Sequence, residues 1–549
     1  MKFSALPEDI LVRICHFAVG ASKVNAELLK NQIWLLSVCE SLRRAALPLV
    51  YKTAYFYCVS PNNSNTGMKN RGIEKVSIDT LMTNAHLLKS TKMFDQVKTV
   101  HITIQANYYS VTSLHLICSE MEKCLKQWPN VIELNLCFGF NYFSRLRADR
   151  NINRYQASMQ PYVKTIGELL PRVSKLVLQG ATQCEVLDEW FGDLALHYSN
   201  QLRYLDRDYC IVIDTPPLQT FNMLTNLNVT FGEFANYSTA CAAASQLQQL
   251  RIYNIPCSVD ESLPAVKPTT IVFPELRYLL LEYPRASNVF ANIKAHASLP
   301  KLKLPCLETL HILFGGNYCP VLACAVLPTS MKSINIIGQY GILSVLDKCG
   351  VQRVEKLMMT ALLNPTNNAS DTKNLIKSLY DCNRVTRYGC LRLDKTLTLK
   401  PEDLETLTIT HLQIGMEMDS VMVIAFITKL SRLVDIKFTN VSMEDSVLNL
   451  AGPAINGDIG KTVVPFAAPI NSLSVNYNNN RDSTQPVPEL ITYLLLRLPM
   501  LRYLTANKVS AEDITKHVEQ FEPHFPHLSH ISFDLEECPP FVVKGRKGV

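Results

Sequence analysis

One phrase, apolar-x-x-apolar-x-apolar, returns along nearly the whole chain. It reads VIELNL from Val131, VSKLVL from Val173, LTNLNV from Leu224, LQQLRI from Leu247, LRYLLL from Leu276 and LETLHI from Leu307. It continues as MKSINI from Met331, VEKLMM from Val354, LETLTI from Leu404, LVDIKF from Leu433, INSLSV from Ile470 and LSHISF from Leu528. Looser copies begin at Val97, Leu202 and Leu501, and the weakest at Val385. Successive copies start about 19 to 42 residues apart, the spacing of repeat architectures. Each phrase predicts a strand of period two, in which the fourth and sixth residues enter a core while the third, fifth and seventh face the other way. Leu134 with Leu136, and Leu310 with Ile312, are therefore expected inside, with Asn135 and His311 outside.

Between the phrases the period lengthens. Leu114, Ile117, Met121, Leu125 and Trp128 recur at three and four positions, the stripe of a helix. Proline stands two residues ahead of the phrase at Pro129, Pro171, Pro274, Pro305, Pro499 and Pro526, where its fixed φ and missing N–H halt a helix before the strand begins. The unit is thus helix, proline turn, short strand. One such unit cannot cover its own apolar faces, so stacking of units is expected. The pattern resembles the leucine-rich-repeat family over about residues 90 to 535, in its long, irregular intracellular form. That resemblance implies an α/β fold, an irregular solenoid with parallel strands on its concave side and helices on its convex side. An ordinary α/β domain with leucine-rich strands is the alternative. The expected divisions are a helical module at 1–52, a connecting or capping segment at 53–90, the repeats at 91–535 and a tail at 536–549.

Ahead of the repeats, LPEDILVRICHFA places Pro7 at a helix start and Glu8 and Asp9 in its first turn, where the helix dipole favours acids. Leu6, Ile10, Ile14 and Phe17 make one apolar stripe, and Leu35, Val38, Leu42 and Ala45 make another that closes before Pro48. This stretch resembles an F-box, here a three-helix module, on Leu6-Pro7, Ile10, Leu11 and Ile14, and on Val38-Cys39 with Arg43-Arg44 after it. With Leu42, these residues are the candidates for binding a linker. An F-box followed by leucine-rich repeats is the layout of the fungal-type substrate receptors of that family. The resemblance implies docking on the Skp-type linker of a cullin-based SCF ubiquitin ligase, with an unknown protein substrate held by the repeats. The alternative is a scaffold outside any ligase, whose first helices only cap the repeats.

Composition narrows the remaining choices. The chain has 549 residues, of which 47% are hydrophobic and 19% charged, an ordinary globular balance. A net charge of +6, scattered along the chain, predicts no nucleic-acid partner. Charges interrupt the early apolar stretch, and VMVIAFI at 421–427 is too short to span a bilayer, so neither a secretory signal nor a membrane partner is expected. Seventeen cysteines without paired spacing, Cys118, Cys124 and Cys137 among them, predict buried thiols in a reducing compartment, cytoplasmic or nuclear. His524, His527 and His530 are three apart but span a turn and a strand, so they are not expected to converge on a metal. No phosphate-cradling glycine loop, nucleophile elbow or His-Glu-x-x-His is present, and no catalytic residue or cofactor is expected.

The strand register also defines a surface. Outward positions carry Glu133 and Asn135, Tyr204, Asp206 and Asp208, Arg251 and Tyr253, Tyr278 and Glu282, His311, Lys356 and Tyr503. Tyrosine beside charge suits recognition, because the ring offers area at low entropy and the hydroxyl stays wet. Tyr204, Asp206, Asp208, Arg251, Tyr253, Tyr278 and Glu282 are the candidate target-binding residues. Arg207 occupies a core-facing place in its phrase, where a charge needs a carboxylate partner or a local bend.

Overall fold

The recurrent phrases form short strands, and most pair in parallel with the next strand along the chain. The structure, a computed structural model, describes residues 10–11, 39–59, 77–78, 83–105, 110–138, 158–180, 185–207, 221–230, 244–253, 270–283, 301–315, 320–338, 349–361, 388–393, 400–405, 407–442, 464–477, 489–507, 516, 527–533 and 541–542. The architecture is α/β with mostly parallel pairing. Two compact units share the chain: Met1–Ile255 with Ile271–Leu276, and Pro256–Thr270 with Arg277–Val549.

The first unit contains α1 (Glu40–Val50), β1 (Thr53–Val59), β2 (Ser77–Ile78), α2 (Ala85–Thr91), β3 (Thr99–Gln105), α3 (Ser110–Cys124), β4 (Glu133–Phe138), α4 (Pro161–Leu169), β5 (Lys175–Gly180), α5 (Glu185–His197), β6 (Tyr204–Arg207), β7 (Asn226–Thr230) and β8 (Gln249–Tyr253). Its parallel strands run β1, β3, β4, β5, β6, β7, β8, with β2 antiparallel on β1. Parallel neighbours need a crossover, and α3, α4 and α5 lie in three of them. Core-facing side chains meet this helical layer: Phe138 stacks edge-on with Trp190 and Phe191 of α5, at 6.1 and 5.6 Å between ring centres. The Trp190 indole N–H donates to the Met159 carbonyl at 3.0 Å, so this buried ring has its polar atom satisfied.

A second device holds the start of each strand. The carbonyls of Lys52, Lys98, Ile132, Ser174, Arg203 and Thr225 each accept two successive N–H groups from the next unit, at 2.7 to 3.1 Å. The same paired bonds recur in the second unit at Arg277, Glu308, Thr329, Thr410, Val434 and Asn471. The phrase's first residue, such as Val131 or Leu307, is buried beside this ladder. Pro129, Pro171, Pro274, Pro305 and Pro499 all stand in the turn just before it.

At the changeover along the chain lies β9 (Thr270–Val272). The second unit then carries β10 (Tyr278–Glu282), β11 (Lys301–Lys303), β12 (Thr309–Gly315), α6 (Pro320–Ala323), β13 (Ala325–Val326), β14 (Ser330–Gly338), β15 (Arg353–Ala361), β16 (Tyr388–Leu393), β17 (His411–Ile414), α7 (Ser420–Lys429), β18 (Asp435–Val441), β19 (Ser472–Tyr477), α8 (Glu489–Arg497), β20 (Tyr503–Ala506), β21 (His530–Phe533) and β22 (Phe541–Val542). Strands β10, β12, β14 to β21 pair in parallel in that order, β22 adds antiparallel to β21, and β11 pairs with β13. Asp419 caps α7 by accepting the Met422 N–H at 2.8 Å.

Leu134, Leu136, Leu310 and Ile312 are all 0% exposed, while Asn135 and His311 are half-buried on the opposite face. Some strands fall elsewhere than the phrases predicted, among them the short β2, β9, β11, β13 and β22. The phrase at Leu404 is not a strand; Pro401–Asp403 forms a 3-10 turn in which the Asp403 carboxylate accepts the Lys400 N–H at 2.8 Å. The strand follows in a second frame from Ile409, with Leu412 and Ile414 buried. Similarly, β16 puts Leu391 opposite Leu412, a frame that begins at Tyr388 rather than Val385. The stretch after residue 52 opens with β1, and Tyr51 just before it, with Ala54 and Phe56 within it, follow the same phrase and are buried. Helix α1 continues through Pro48 to Val50, where it was expected to close earlier; the Tyr51 N–H still reaches the Leu47 carbonyl at 3.1 Å and carries the last turn. The remainder of the expected three-helix module lies outside the described residues, apart from helical Ile10 and Leu11.

Candidate functional site

The face opposite the core carries the chemistry. In the first unit, register aligns Glu133, Lys175, Tyr204 and Asn226 across β4 to β7, and beside them Asn135, Val177, Asp206, Asn228 and Arg251 across β4 to β8. These side chains interlock. Lys175 Nζ lies 3.0 Å from Glu133 Oε1 and 5.1 Å from the centre of the Tyr204 ring. The Tyr204 hydroxyl donates to Asp206 Oδ2 at 3.1 Å, and Asn228 Nδ2 donates to the same carboxylate oxygen at 2.8 Å and to the Tyr204 hydroxyl at 2.9 Å. Asn228 is 3% exposed.

Electrostatics follow from that packing. Burial pushes the Tyr204 phenol up to about 12, helped by the charge and hydrogen bond of Asp206 and opposed by Arg251 and Asn228. The phenol therefore stays neutral and donates at physiological pH. On β3, burial lowers His101 below its ordinary value, against a weaker pull upward from Glu133, and its Nε2 lies 3.1 Å from Thr103 Oγ1. This is a surface that holds an aromatic ring and a carboxylate in fixed places, with Lys175 and Arg251 beside them. Among the described residues no group of three or more His, Cys, Asp or Glu could hold a metal ion. No helix among them is long and apolar enough to cross a membrane.

The second unit differs on the same face. Tyr278 and His311 rings lie 5.1 Å apart on β10 and β12, and Tyr503 is 50% exposed on β20. Between Tyr278 and Lys356, however, four outward positions are apolar: Leu280, Leu313, Ile337 and Met358. Farther along, the face is polar again, with His411, Asp435 and Ser472 in one row and Gln413, Lys437 and Ser474 in the next.

The candidate target residues are thus distributed as follows. Tyr204 and Asp206 share one hydrogen-bonded cluster, which Arg251 influences by its charge, and Tyr253 is half-buried on β8. Tyr278 and Glu282 belong to the second unit. Asp208 and the Arg207 side chain lie outside the described residues. Asn228 and Lys175 were absent from the expected surface although they occupy the same phrase positions as Asp206 and Tyr204. Of the linker candidates, Leu6, Pro7, Ile14 and Val38 lie outside the described residues, Leu11 and Leu42 are buried in the chain's own core, and Ile10 and Cys39 are half-buried. Burial raises the Cys118 thiol to about 12, so it stays protonated at neutral pH. His527 is exposed, His530 begins β21, and His524 lies outside the described residues.

No protein-family model matches the chain, and no curated protein matches it.

Proposed function

We propose that this chain is a non-catalytic receptor, a leucine-rich-repeat solenoid that holds a protein target on the outward face of its strands and is coupled through residues 1–52 to the Skp-type linker of an SCF ubiquitin ligase. The observation that supports it best is the cluster of Tyr204, Asp206 and Asn228, in which a half-buried aromatic and an acid are held by three hydrogen bonds on adjacent strands. Groups fixed before binding lose little entropy when a partner arrives. Function then follows from proximity: a rigid receptor raises the effective concentration of target lysines near the conjugating enzyme, and other subunits perform the transfer.

A second reading is a scaffold without a ligase link, favoured by Leu11 and Leu42, which are spent on the chain's own core as the residues of a cap would be. Pull-down of purified Skp-type linker by the full-length protein decides between them. The receptor reading expects capture, and loss of capture with Ile10→Asp or with Leu6→Ala and Pro7→Ala together, at unchanged thermal stability. Absence of capture by the wild type, or equal capture by these variants, assigns residues 1–52 to capping.

A further inference from the structure

We infer that the outward face of β10, β12, β14 and β15 is the docking site for one amphipathic helix of a protein partner; this rests on the reading of the outward face as the target-binding side. The core of these strands is already filled from the other face, by Leu279 and Leu281, Leu310 and Ile312, Ile334 and Ile336, and Leu357 and Met359. On the opposite face Leu313, Ile337 and Met358 are half-buried apolar side chains and Leu280 is 9% exposed, with His311 and Asn335 between Leu280 and Met358 in the same row. Leu313 and Ile337 are direct partners in register. Leu280 and Met358 lie two positions upstream on the flanking strands. Four strands at about 4.8 Å spacing make this patch about 14 Å wide. A helix with apolar residues at i, i+4 and i+7 covers about 10 Å of it.

Two observations select a helix of mixed charge. The backbone N–H and C=O groups of β12, β14 and β15 are taken by parallel neighbours on both sides, so the face offers side chains only. An extended peptide laid there would bury its own unpaired backbone groups, whereas a helix satisfies them internally. Glu282 on β10 and Lys356 on β15 stand at opposite corners of the patch, and neither forms an ion pair among the described residues. A basic residue near one end of the helix and an acidic residue near the other complement them.

The test uses full-length protein and a fluorescein-labelled, alanine-rich peptide of about 16 residues, long enough to be helical, with leucines at i, i+4 and i+7, lysine at one end and glutamate at the other. Anisotropy should show saturable binding that Ile337→Ser or Met358→Ser weakens by about tenfold, the size expected for truncating one interface anchor. Because the mixed peptide can bind in either direction, charge is tested on the protein: Glu282→Lys should make a peptide with glutamate at both ends bind better than the mixed one, reversing the wild-type order. Absence of binding, equal binding by an Ile337→Ser variant of unchanged melting temperature, or an unreversed charge order would overturn the inference. So would equal binding of a peptide with proline at its centre, which would indicate an extended ligand. A dimer in sedimentation that Ile337→Ser dissolves would also overturn it by giving the face to a second copy. Linker capture is measured on the same variants, so that loss of this site and loss of the ligase reading are told apart.

Discussion

The outward faces of the two units both come from the strand positions that turn away from the core, and they use them differently. In the first unit, Glu133, Lys175, Tyr204, Asp206 and Asn228 are used up on one another, through an ion pair, a cation over a ring and three hydrogen bonds. In the second, the same two rows hold Tyr278, Thr309, Ser333 and Lys356, then Leu280, His311, Asn335 and Met358, and the next row adds the apolar pair Leu313 and Ile337. A satisfied polar network contributes rigidity, because each member would otherwise be left unpaired. An apolar patch instead leaves area whose removal from water can drive association. The contrast teaches that facing away from the core does not define a single role: one face is organised by polar contacts, and the other carries half-buried apolar side chains among polar ones.

The largest effects should not distinguish the units at all. Leu134→Ala in the first and Leu310→Ala in the second both remove a fully buried side chain, and each should cost about 2 to 5 kcal/mol in denaturant unfolding. A large cost in only one of them would break the equivalence of the two cores. The network comes next. Asn228→Ala should cost about 1 to 3 kcal/mol, because it strips donors from Asp206 and the Tyr204 hydroxyl in a buried setting, whereas Asn335→Ala on half-buried β14 should cost under about 0.5 kcal/mol.

Tyr204→Phe should cost about 1 kcal/mol at neutral pH, the usual contribution of one hydrogen bond. Its pH dependence sharpens the assignment. The folded phenol holds its proton to about 12, while the unfolded one releases it near the ordinary 10.0. The contribution is therefore complete below pH 10 and is lost as pH rises toward 12, because the unfolded chain binds fewer protons in that window. Unfolding midpoints of wild type and Tyr204→Phe should converge across it; parallel curves would remove Tyr204 from the network. The smallest effect is His311→Ala, expected under about 0.5 kcal/mol despite its contact with Tyr278.

Much of the strand pattern was legible because period two is local. The failures were failures of frame. LETLTITHLQI contains the phrase twice, from Leu404 and from Ile409, and letters alone rank them equally. The turn capped by Asp403 and the pairing of Leu412 with Leu391 choose the second. At Tyr51 the phrase is masked in the sequence by Ala54 and aromatic Phe56, which stand in the places leucine usually takes and are buried just as fully. The candidate face was legible only as single positions. Asn228 is one such position, since an asparagine in a strand gives no sign of which neighbour it will reach.

By itself, then, the sequence determined which residues of each phrase turn inward, where proline ends one segment and the next strand starts, and that parallel strands must be rejoined by crossovers. Those are properties of a few consecutive residues. Which outward residues become partners was decided by tertiary structure alone, since Asn228 reaches Tyr204 and Asp206 across 24 and 22 residues of chain. Connections of unequal length separate those strands, and only hydrogen bonding between them sets a register; one residue of slip would turn every outward group to the core. The division between an interlocked polar face and a partly apolar one exists only once that register is made.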